Sequence, residues 1–426
     1  FMPMTLRRLS RIACERLENG FDRTFGPAWN PFYQLGALGW FFYWIVAVTG
    51  IYLFVFFDTG VTNAYQSVEH LTRAQWYAGG VMRSLHRYAS DALVIVMMLH
   101  LTREFVMDRF RGPRWLAWIT GVPVLWFVFA SGVSGYWLVW DQLAQYIAIA
   151  TTEWLDTLPI FGEPIARNFL SPEDLSDRFF TLMVFLHIVV PLFLLFVMWL
   201  HIQRIAGPRI NPPRGLALGT LATLTVLSFA YPAVSQGPAD LKTVPAVVNL
   251  DWFYLALYPL LDALPGAGLW AALGGLSLLL ATLPWLPPAG REPVARVDLA
   301  NCNGCGRCAA DCPFTAIEMR PRSDHLPFAQ EATVDADLCV RCGICVGACP
   351  TATPFRRTGE PIPGIDLPEL PVRALREQTL AATARLSGAD RVLVYGCRYG
   401  AQIEGLEGPG VAALALPCVA ALPPSF

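Results

Sequence analysis

Only six histidines occur in 426 residues, and four of them form two pairs of equal spacing: His86 with His100, and His187 with His201, fourteen residues apart in each case. On a helix, fourteen residues rise about 21 Å and turn about 1400°, within about 40° of whole turns. Each pair therefore lies on one face, near opposite ends of its helix. If the two helices run in the same direction, His86 stands level with His187 and His100 with His201. Facing imidazoles can take a haem iron from both sides. The other reading is four polar residues satisfied within a helix bundle; the matched interval of both pairs favours iron.

Ten of the eleven cysteines lie after residue 300, and eight of them form two runs of one pattern. Cys302-x2-Cys305-x2-Cys308-x3-Cys312-Pro313 is followed by Cys339-x2-Cys342-x2-Cys345-x3-Cys349-Pro350. In this spacing the tight CxxCxxC turn gives three thiolates to one 4Fe–4S cubane, and the fourth cysteine of each run serves the other cluster. One cluster is then expected on Cys302, Cys305, Cys308 and Cys349, the second on Cys339, Cys342, Cys345 and Cys312. Zinc sites lack this three-plus-one spacing. Thiolate clusters rather than disulfides imply a reducing compartment for this part of the chain.

The elements that must position these residues are membrane helices. Hydrophobic residues make up 54% of the chain and charged ones 15%, too apolar for an ordinary soluble protein. Long apolar stretches, each long enough to cross about 30 Å of hydrocarbon, run over 32–57, 82–107, 115–140, 179–203, 215–233 and 266–286. Arginines gather in the N-terminal segment, in the second connection (Arg103, Arg109, Arg111, Arg114) and in the fourth (Arg204, Arg209, Arg214). The third connection is acidic, with Glu153, Asp156, Glu163, Glu173, Asp174 and Asp177. By the positive-inside rule the N-terminus is cytoplasmic. Six crossings return the cysteine-rich part to the same side, in agreement with the thiol argument.

The domains follow. Residues 1–30 hold a basic helix, with Leu6, Leu9, Ile12, Ala13 and Leu17 at helical spacing, lying on the membrane surface; an ordinary surface helix is the other reading. Residues 31–290 are the membrane bundle. Pro287, Pro288, Gly290 and Pro293 lead into the cysteine domain, 291–356. A Pro-rich linker that turns helical covers 357–388, and 389–426 is a short tail that opens on a strand-like run, Val392 to Tyr395. The fold class expected is a membrane all-α bundle of six spans, a small α+β ferredoxin-like cytoplasmic domain and a partial α/β tail.

Glycines repeat the histidine interval: Gly36 and Gly50, then Gly121 and Gly135. Glycine lets a bulky group approach the backbone, here a haem or a neighbouring helix. Arg83 and Arg87 flank His86 and would pair with haem propionates or stand as interfacial charges. With Arg83-Ser84-Leu85-His86, Gly135-Tyr136 leading into Trp140-Asp141-Gln142, and Pro191 four after His187, the chain over about 11–290 resembles cytochrome b of the respiratory and photosynthetic bc complexes. That resemblance implies two b haems, His86 with His187 on the outer side and His100 with His201 on the cytoplasmic side, and a dimer within a larger complex. Gln34 stands where the photosynthetic branch has a haem-binding cysteine, so no third haem is expected. Leu250-Asp251-Trp252-Phe253, followed by Tyr254-Leu255, resembles the family's quinol-oxidation signature with a shortened carboxylate. Asp251, Trp252 and Tyr254 are the candidate quinone residues, in a modified site. The cysteine runs resemble bacterial two-cluster ferredoxins. The tail around Cys397 and Cys418 is similar to part of the delta subunit of methyl-viologen-reducing hydrogenases, which implies a docking element for a flavin partner.

Haems in a membrane and clusters on its cytoplasmic side make one conduit. The expected function is an electron-transfer subunit of an oxidoreductase in a prokaryotic inner membrane, joining a cytoplasmic low-potential donor to the quinone pool. No dinucleotide-binding fingerprint occurs, so dehydrogenation falls to a flavin- or iron–sulfur-containing partner. Lipid and quinone are the other expected partners; nucleic acid is not. Two alternatives stand beside this reading: a membrane anchor with the haems off the main path, or a bifurcating unit that oxidises quinol and reduces the clusters.

Overall fold

The computed structural model describes residues 4–111, 114–160, 164–165, 170–171, 175–203, 210–286, 293–336, 338–352, 361–388, 390–397, 403 and 406–423. Among the features expected above, Glu163, Glu173, Asp174, Arg204, Arg209, Pro287, Pro288 and Gly290 lie outside them. The chain divides into two compact units, Arg8–Leu286 and a second made of Phe1–Arg7 with Pro287–Phe426.

The first unit is helical throughout. Its order is α1 (Met4–Phe25), α2 (Leu35–Phe56), α3 (Asn63–Arg73), α4 (Val81–Val106), α5 (Trp115–Val139), α6 (Gln142–Asp156), α7 (Asp177–Gln203), α8 (Arg214–Ala230), α9 (Tyr258–Ala263) and α10 (Gly266–Thr282). Helices fill all six apolar stretches read from the sequence. By length and composition four of them can cross a membrane: Pro31–Phe56, Trp115–Val139, Asp177–Gln203 and Gly266–Trp285. The other two fall short for physical reasons. α4 carries Arg83, Arg87, Asp91, Arg103 and Glu104. The 17 residues of α8 rise only about 26 Å.

Two helix pairs form the heart of this unit. α2 packs along α4, and α5 along α7. The core between them is apolar, with Leu38, Phe42, Leu93, Val128, Phe180 and Leu194 buried. Helices that are apolar all round turn many side chains outward, as Ile51, Phe185, Phe193 and Leu278 do here; lipid is the solvent that suits them. α1 is tied in at its C-terminal half. Buried Asn30 donates to the Glu18 carbonyl at 2.9 Å and to Asp22 at 2.8 Å. Glu18 pairs with Arg103 near the end of α4 at 2.7 Å.

After α5 the chain turns at Trp140, whose φ of 50° is left-handed. Asp141 then caps α6, accepting from Ala144 N at 2.9 Å. The same carboxylate accepts from Gln236 N at 2.9 Å, and Gln145 clasps Asp240 through its carbonyl and amide, at 2.9 and 2.8 Å. The Trp140–Gln142 motif thus pins the segment 236–243, and that segment leads to Asp251.

The second unit holds β1 (Arg296–Val297), α11 (Arg307–Ala310), β2 (Ile317–Pro321), β3 (Gln330–Val334), α12 (Ile344–Gly347), β4 (Ile365–Asp366), α13 (Val372–Ala384), β5 (Val392–Cys397) and β6 (Val411–Leu416). β2 and β3 form an antiparallel hairpin with Ile317 opposite Val334. β1 pairs antiparallel with β4, and β5 pairs parallel with β6. The boundary read at 356/357 is not where this core stops. Ile365, Leu367 and Val372, inside the expected linker, are buried in one cluster with Cys308, Cys345 and Cys349. The tail packs on the same core. A Cβ on Gly347 would lie 2.0 Å from the Ala420 carbonyl oxygen, and one on Gly343 2.7 Å from the Ala421 Cβ. A two-residue strand has no periodicity to betray it, so the sequence reads as a tether where the chain closes a small domain.

Candidate functional site

The histidines meet as their spacing requires. The ring centroids of His86 and His187 are 6.4 Å apart, and those of His100 and His201 are 6.3 Å apart. A metal between two imidazoles, at about 2 Å from each nitrogen plus half a ring on either side, separates the centroids by about 6 Å. Both pairs therefore fit a bis-imidazole iron.

The glycines explain how each ring is held. An ideal Cβ on Gly50 would lie 3.0 Å from His86 Cε1, and one on Gly135 2.9 Å from His187 Cε1. At Gly36 and Gly121 the distances to His100 and His201 Cε1 are 3.7 and 3.6 Å. A helical side chain covers the turn N-terminal to its own Cα, so a glycine bares the carbonyl four residues earlier. His86 Nδ1 uses that opening, donating to Val46 O at 3.0 Å. The carbonyls of Ser131 and Ala117 serve His187 and His201 in the same way. A hydroxyl just before three of the glycines adds a second contact: Thr49, Ser134 and Thr120 lie 3.1 Å from the Nδ1 of His86, His187 and His201 respectively. A proton held on Nδ1 leaves Nε2 with a bare lone pair for the metal. These hydroxyls were missed in the sequence, although Ser or Thr precedes three of the four glycines. Leu35 stands before Gly36.

One prediction follows directly. Gly50→Ala and Gly135→Ala should disturb their rings by overpacking, at about 1–3 kcal/mol each, because the rings are pinned at Nδ1. Gly36→Ala and Gly121→Ala meet ordinary contact distances and should do little. Thermal release of b-type absorbance from the four variants measures this, and the reverse ranking would refute it.

The two arginines beside His86 have partners within the protein. Arg83 bonds Thr72, meets Ser235 at 2.9 Å and lies 3.6 Å from Glu69. Arg87 pairs with Asp91 at 3.1 Å and with Asp251 at 2.7 Å, and its guanidinium lies 4.6 Å from the Tyr136 ring centre. Asp251 also accepts from the Tyr136 hydroxyl and from Phe253 N at 2.8 Å.

Of the three candidate quinone residues, two point inward. Tyr254 is buried against Gly132, where a Cβ would lie 2.1 Å from its ring, and its hydroxyl meets Ser90 Oγ at 2.6 Å. Asp251 sits beside it in the arginine cluster. Trp252 is 71% exposed and belongs to neither. Gly132 carried no signal in the sequence that set it apart; Asp91, an acidic residue inside an apolar stretch, carried one that went unread.

In the second unit the eight cysteines line two cavities. Cys302, Cys305, Cys308 and Cys349 share one. Cys312, Cys339, Cys342 and Cys345 share the other. The fourth cysteine of each run faces the other run's three, because α11 and α12 pack against each other. The turns repeat as well. Gly304 and Gly306 have φ of 68° and 73°, and Arg341 and Gly343 at the equivalent places have 60° and 82°. Left-handed residues between right-handed ones turn backbone N–H groups into a concavity suited to an anionic cluster. Gly364 N lies 3.3 Å from Cys349 Sγ and Ala316 N 3.4 Å from Cys312 Sγ, as donors to sulfur. Burial pushes the Cys308 thiol up to about 11, with Cys305 and Cys349 adding to it, and the Cys345 thiol to about 12, with Cys342 and Cys339 adding. Buried thiolates crowded in this way repel one another until a cationic iron core neutralises them.

In the tail, Cys397 Sγ lies 3.4 Å from Pro417 O. Cys418 is among the thiols that raise Cys342, after burial as the main cause. Arg398, Tyr399 and Gly400 lie outside the described residues.

Residues 21–207 match the cytochrome b/b6/petB family model, and residues 301–353 match that of the 4Fe-4S dicluster domain. A cytochrome b of Rhodospirillum rubrum is 26% identical over 333 residues, covering 68% of this chain and 81% of that protein. A chain of a hyperthermophilic respiratory complex III aligns with a TM-score of 0.49 at 21% identity, covering 60% of this chain and 75% of its own. The chain is thus a multi-pass membrane protein of electron transport that carries a cytochrome b domain followed by a 4Fe–4S dicluster domain.

Proposed function

We propose that this chain is the membrane electron-transfer subunit of a quinone-linked oxidoreductase. Electrons enter from a cytoplasmic low-potential donor, a flavoprotein using NAD(P)H or a ferredoxin. Two 4Fe–4S clusters, on Cys302/Cys305/Cys308/Cys349 and Cys339/Cys342/Cys345/Cys312, and two b haems, on His100/His201 and His86/His187, supply the one-electron stations between that donor and the quinone pool. The observation that carries this reading is the presence in one chain of two histidine pairs at bis-imidazole spacing and two cavities lined by four cysteines each. Six crossings, with the N-terminus and the cluster domain in the cytoplasm of a prokaryote, accord with the arginine-rich connections. The parallel pair β5–β6, with Cys397 and Cys418, is the docking element for the soluble partner, and the assembly is a dimer.

The direction favoured is from clusters to quinone. The reverse is uphill and, starting from the outer face, works against the field by about 2.3 kcal/mol per 100 mV for each electron. A second reading, in which an outer quinone site is idle and the membrane part is chiefly an anchor, draws support from Asp251. Its carboxylate is engaged by Arg87, Tyr136 and the Phe253 amide, so it is not a free base for quinol.

The test uses the native assembly in mild detergent, offered NADH, NADPH, reduced ferredoxin or a quinol while the b-type spectrum is followed. Reduction by a nicotinamide or ferredoxin, reversed by added quinone, is expected. Reduction by quinol alone, with the cytoplasmic donors inert, would overturn the proposed direction.

A further inference from the structure

One buried group has an open hydrogen-bonding position. Asp91 is 8% exposed, and its Oδ1 has no partner among the described residues. Its Oδ2 faces Arg87 Nε at 3.1 Å. Arg87 also holds Asp251, whose Oδ2 lies 2.7 Å from Nη2. Two carboxyls thus share one guanidinium. The other ionisable groups that face Asp91 are Tyr88 on its own helix, Tyr136 on α5, and Tyr254 beside Asp251. None of these supplies a positive charge.

If both carboxyls ionise, the cluster holds a net negative charge in an apolar interior, which is strongly disfavoured. One of the two carboxyls therefore takes up a proton more readily than an ordinary carboxylate, and the contacts say which. Asp251 accepts from a guanidinium, a tyrosine hydroxyl and the Phe253 amide. Three donors stabilise its ionised form. Asp91 has one donor and an open oxygen.

The place matters as much as the charge. Arg87 follows His86 directly, and Tyr136 follows Gly135, where a Cβ would lie 2.9 Å from the His187 ring. The cluster therefore flanks the His86/His187 pair on both helices. The surroundings of His100 and His201 are opposite in character. There Glu18 and Glu104 face Arg103, Arg109 and Arg114, so cations outnumber carboxylates.

We propose that Asp91 is a redox-linked proton site: it takes up one proton from water for each electron that arrives between His86 and His187, and returns it when the electron leaves. This rests on the reading that the His86/His187 pair holds a haem. An added negative charge nearby raises the proton affinity of the carboxyl. By linkage the bound proton raises the electron affinity equally. The midpoint potential of that component must then fall as pH rises, by about 59 mV for each tenfold fall in proton concentration while one proton accompanies one electron. The component at His100/His201 lacks this partner and should not share the slope.

The experiment is a potentiometric titration of the b-type spectrum of the full chain in detergent, from about pH 5 to about pH 9, the range that buried carboxyls reach. One of two components is expected to show the slope, and His187→Leu identifies it by removing it. Asp91→Asn should flatten the slope while the other component keeps its potential. Asp251→Asn should flatten it too, because Asp91 then becomes the sole partner of Arg87 and stays ionised. Redox-difference infrared spectra should show a protonated-carboxyl band that Asp91→Asn removes. If Asp91→Asn costs that haem altogether, Asp251→Asn and the infrared band decide the matter. A slope that survives both substitutions, or a flat response in the unaltered chain, overturns the proposal. A chain with no b-type spectrum at all would instead overturn the haem reading beneath it.

Discussion

His187→Leu is expected to cut the haem content of the purified chain by half, and His201→Leu to do the same to the other half. The two ligand pairs stand about 21 Å apart along their helices, and each is assembled by its own glycine and backbone carbonyl. Losing His187 leaves His86 facing leucine while its Nδ1 bond to Val46 stays intact. The His100–His201 pair, with rings 6.3 Å apart, is untouched. Haem extracted as the pyridine complex, per chain and per iron in the cluster domain, measures the outcome. The spectral component that remains must differ between the two variants. Loss of both haems from either single variant would mean that the pairs do not bind independently. Retention of both would mean that these histidines are satisfied core residues.

The meeting of the histidine pairs and of the cysteine runs was legible because these are rare residue types at regular intervals. Six histidines in so apolar a chain, four of them paired at one interval, leave few alternatives. The spacing of the cysteine runs anticipates which four cysteines share each cavity. What escaped was everything defined by three-dimensional neighbours. Thr49, Thr120 and Ser134 look like ordinary helix residues until the ring nitrogen beside each is seen. Arg87 reads as a propionate partner because it adjoins His86, yet two carboxylates engage it, one of them 164 residues further on. Trp252 was grouped with Asp251 because both stand in the segment that resembles the quinol-oxidation signature, and a turn sends it outward. The segment 357–388 looked like a tether because prolines dominate it, while the pairing of Ile365 with Val297 depends on a partner some seventy residues earlier.

That cluster around Arg87 also bears on how far the family's chemistry carries over. A carboxylate that takes a proton from a quinol must be free to come within hydrogen-bond reach of it. Here the shorter Asp251 is held by donors from α4, from α5 and from its own turn. An ion pair with side-chain exposures of 31% and 6% is costly to open, because opening leaves a charge stranded in low dielectric. The geometry therefore suits a structural latch at Asp251, with any labile proton one turn away at Asp91.

Cys349→Ala is expected to abolish the cluster of the first cysteine run, not that of the run in which Cys349 itself stands. Cys349 belongs by sequence with Cys339, Cys342 and Cys345, but it lines the cavity of Cys302, Cys305 and Cys308. Its sulfur accepts from Gly364 N at 3.3 Å and meets the Thr351 hydroxyl at 3.1 Å, contacts that hold it toward that cavity. Cys312 shows the reciprocal placement, with Cys339, Cys342 and Cys345. Removing one thiolate of four opens the cubane to water and drops cluster iron by about half. The half that is lost is the diagnostic result. In electron paramagnetic resonance of the reduced chain, Cys349→Ala should match Cys302→Ala and differ from Cys339→Ala, while Cys312→Ala should match Cys339→Ala. The opposite matching would mean that each run closes its own cluster, and the two cavities would then have been assigned to the wrong ligand sets. Because α11 and α12 pack directly on one another and share a buried core with Val372 and Ile365, a second effect follows from the same substitution. The remaining cluster should become easier to release with chelator, since the wall between the two cavities is common to both. A variant that lost one cluster and held the other as firmly as before would show that the two halves of this small domain are independently stable.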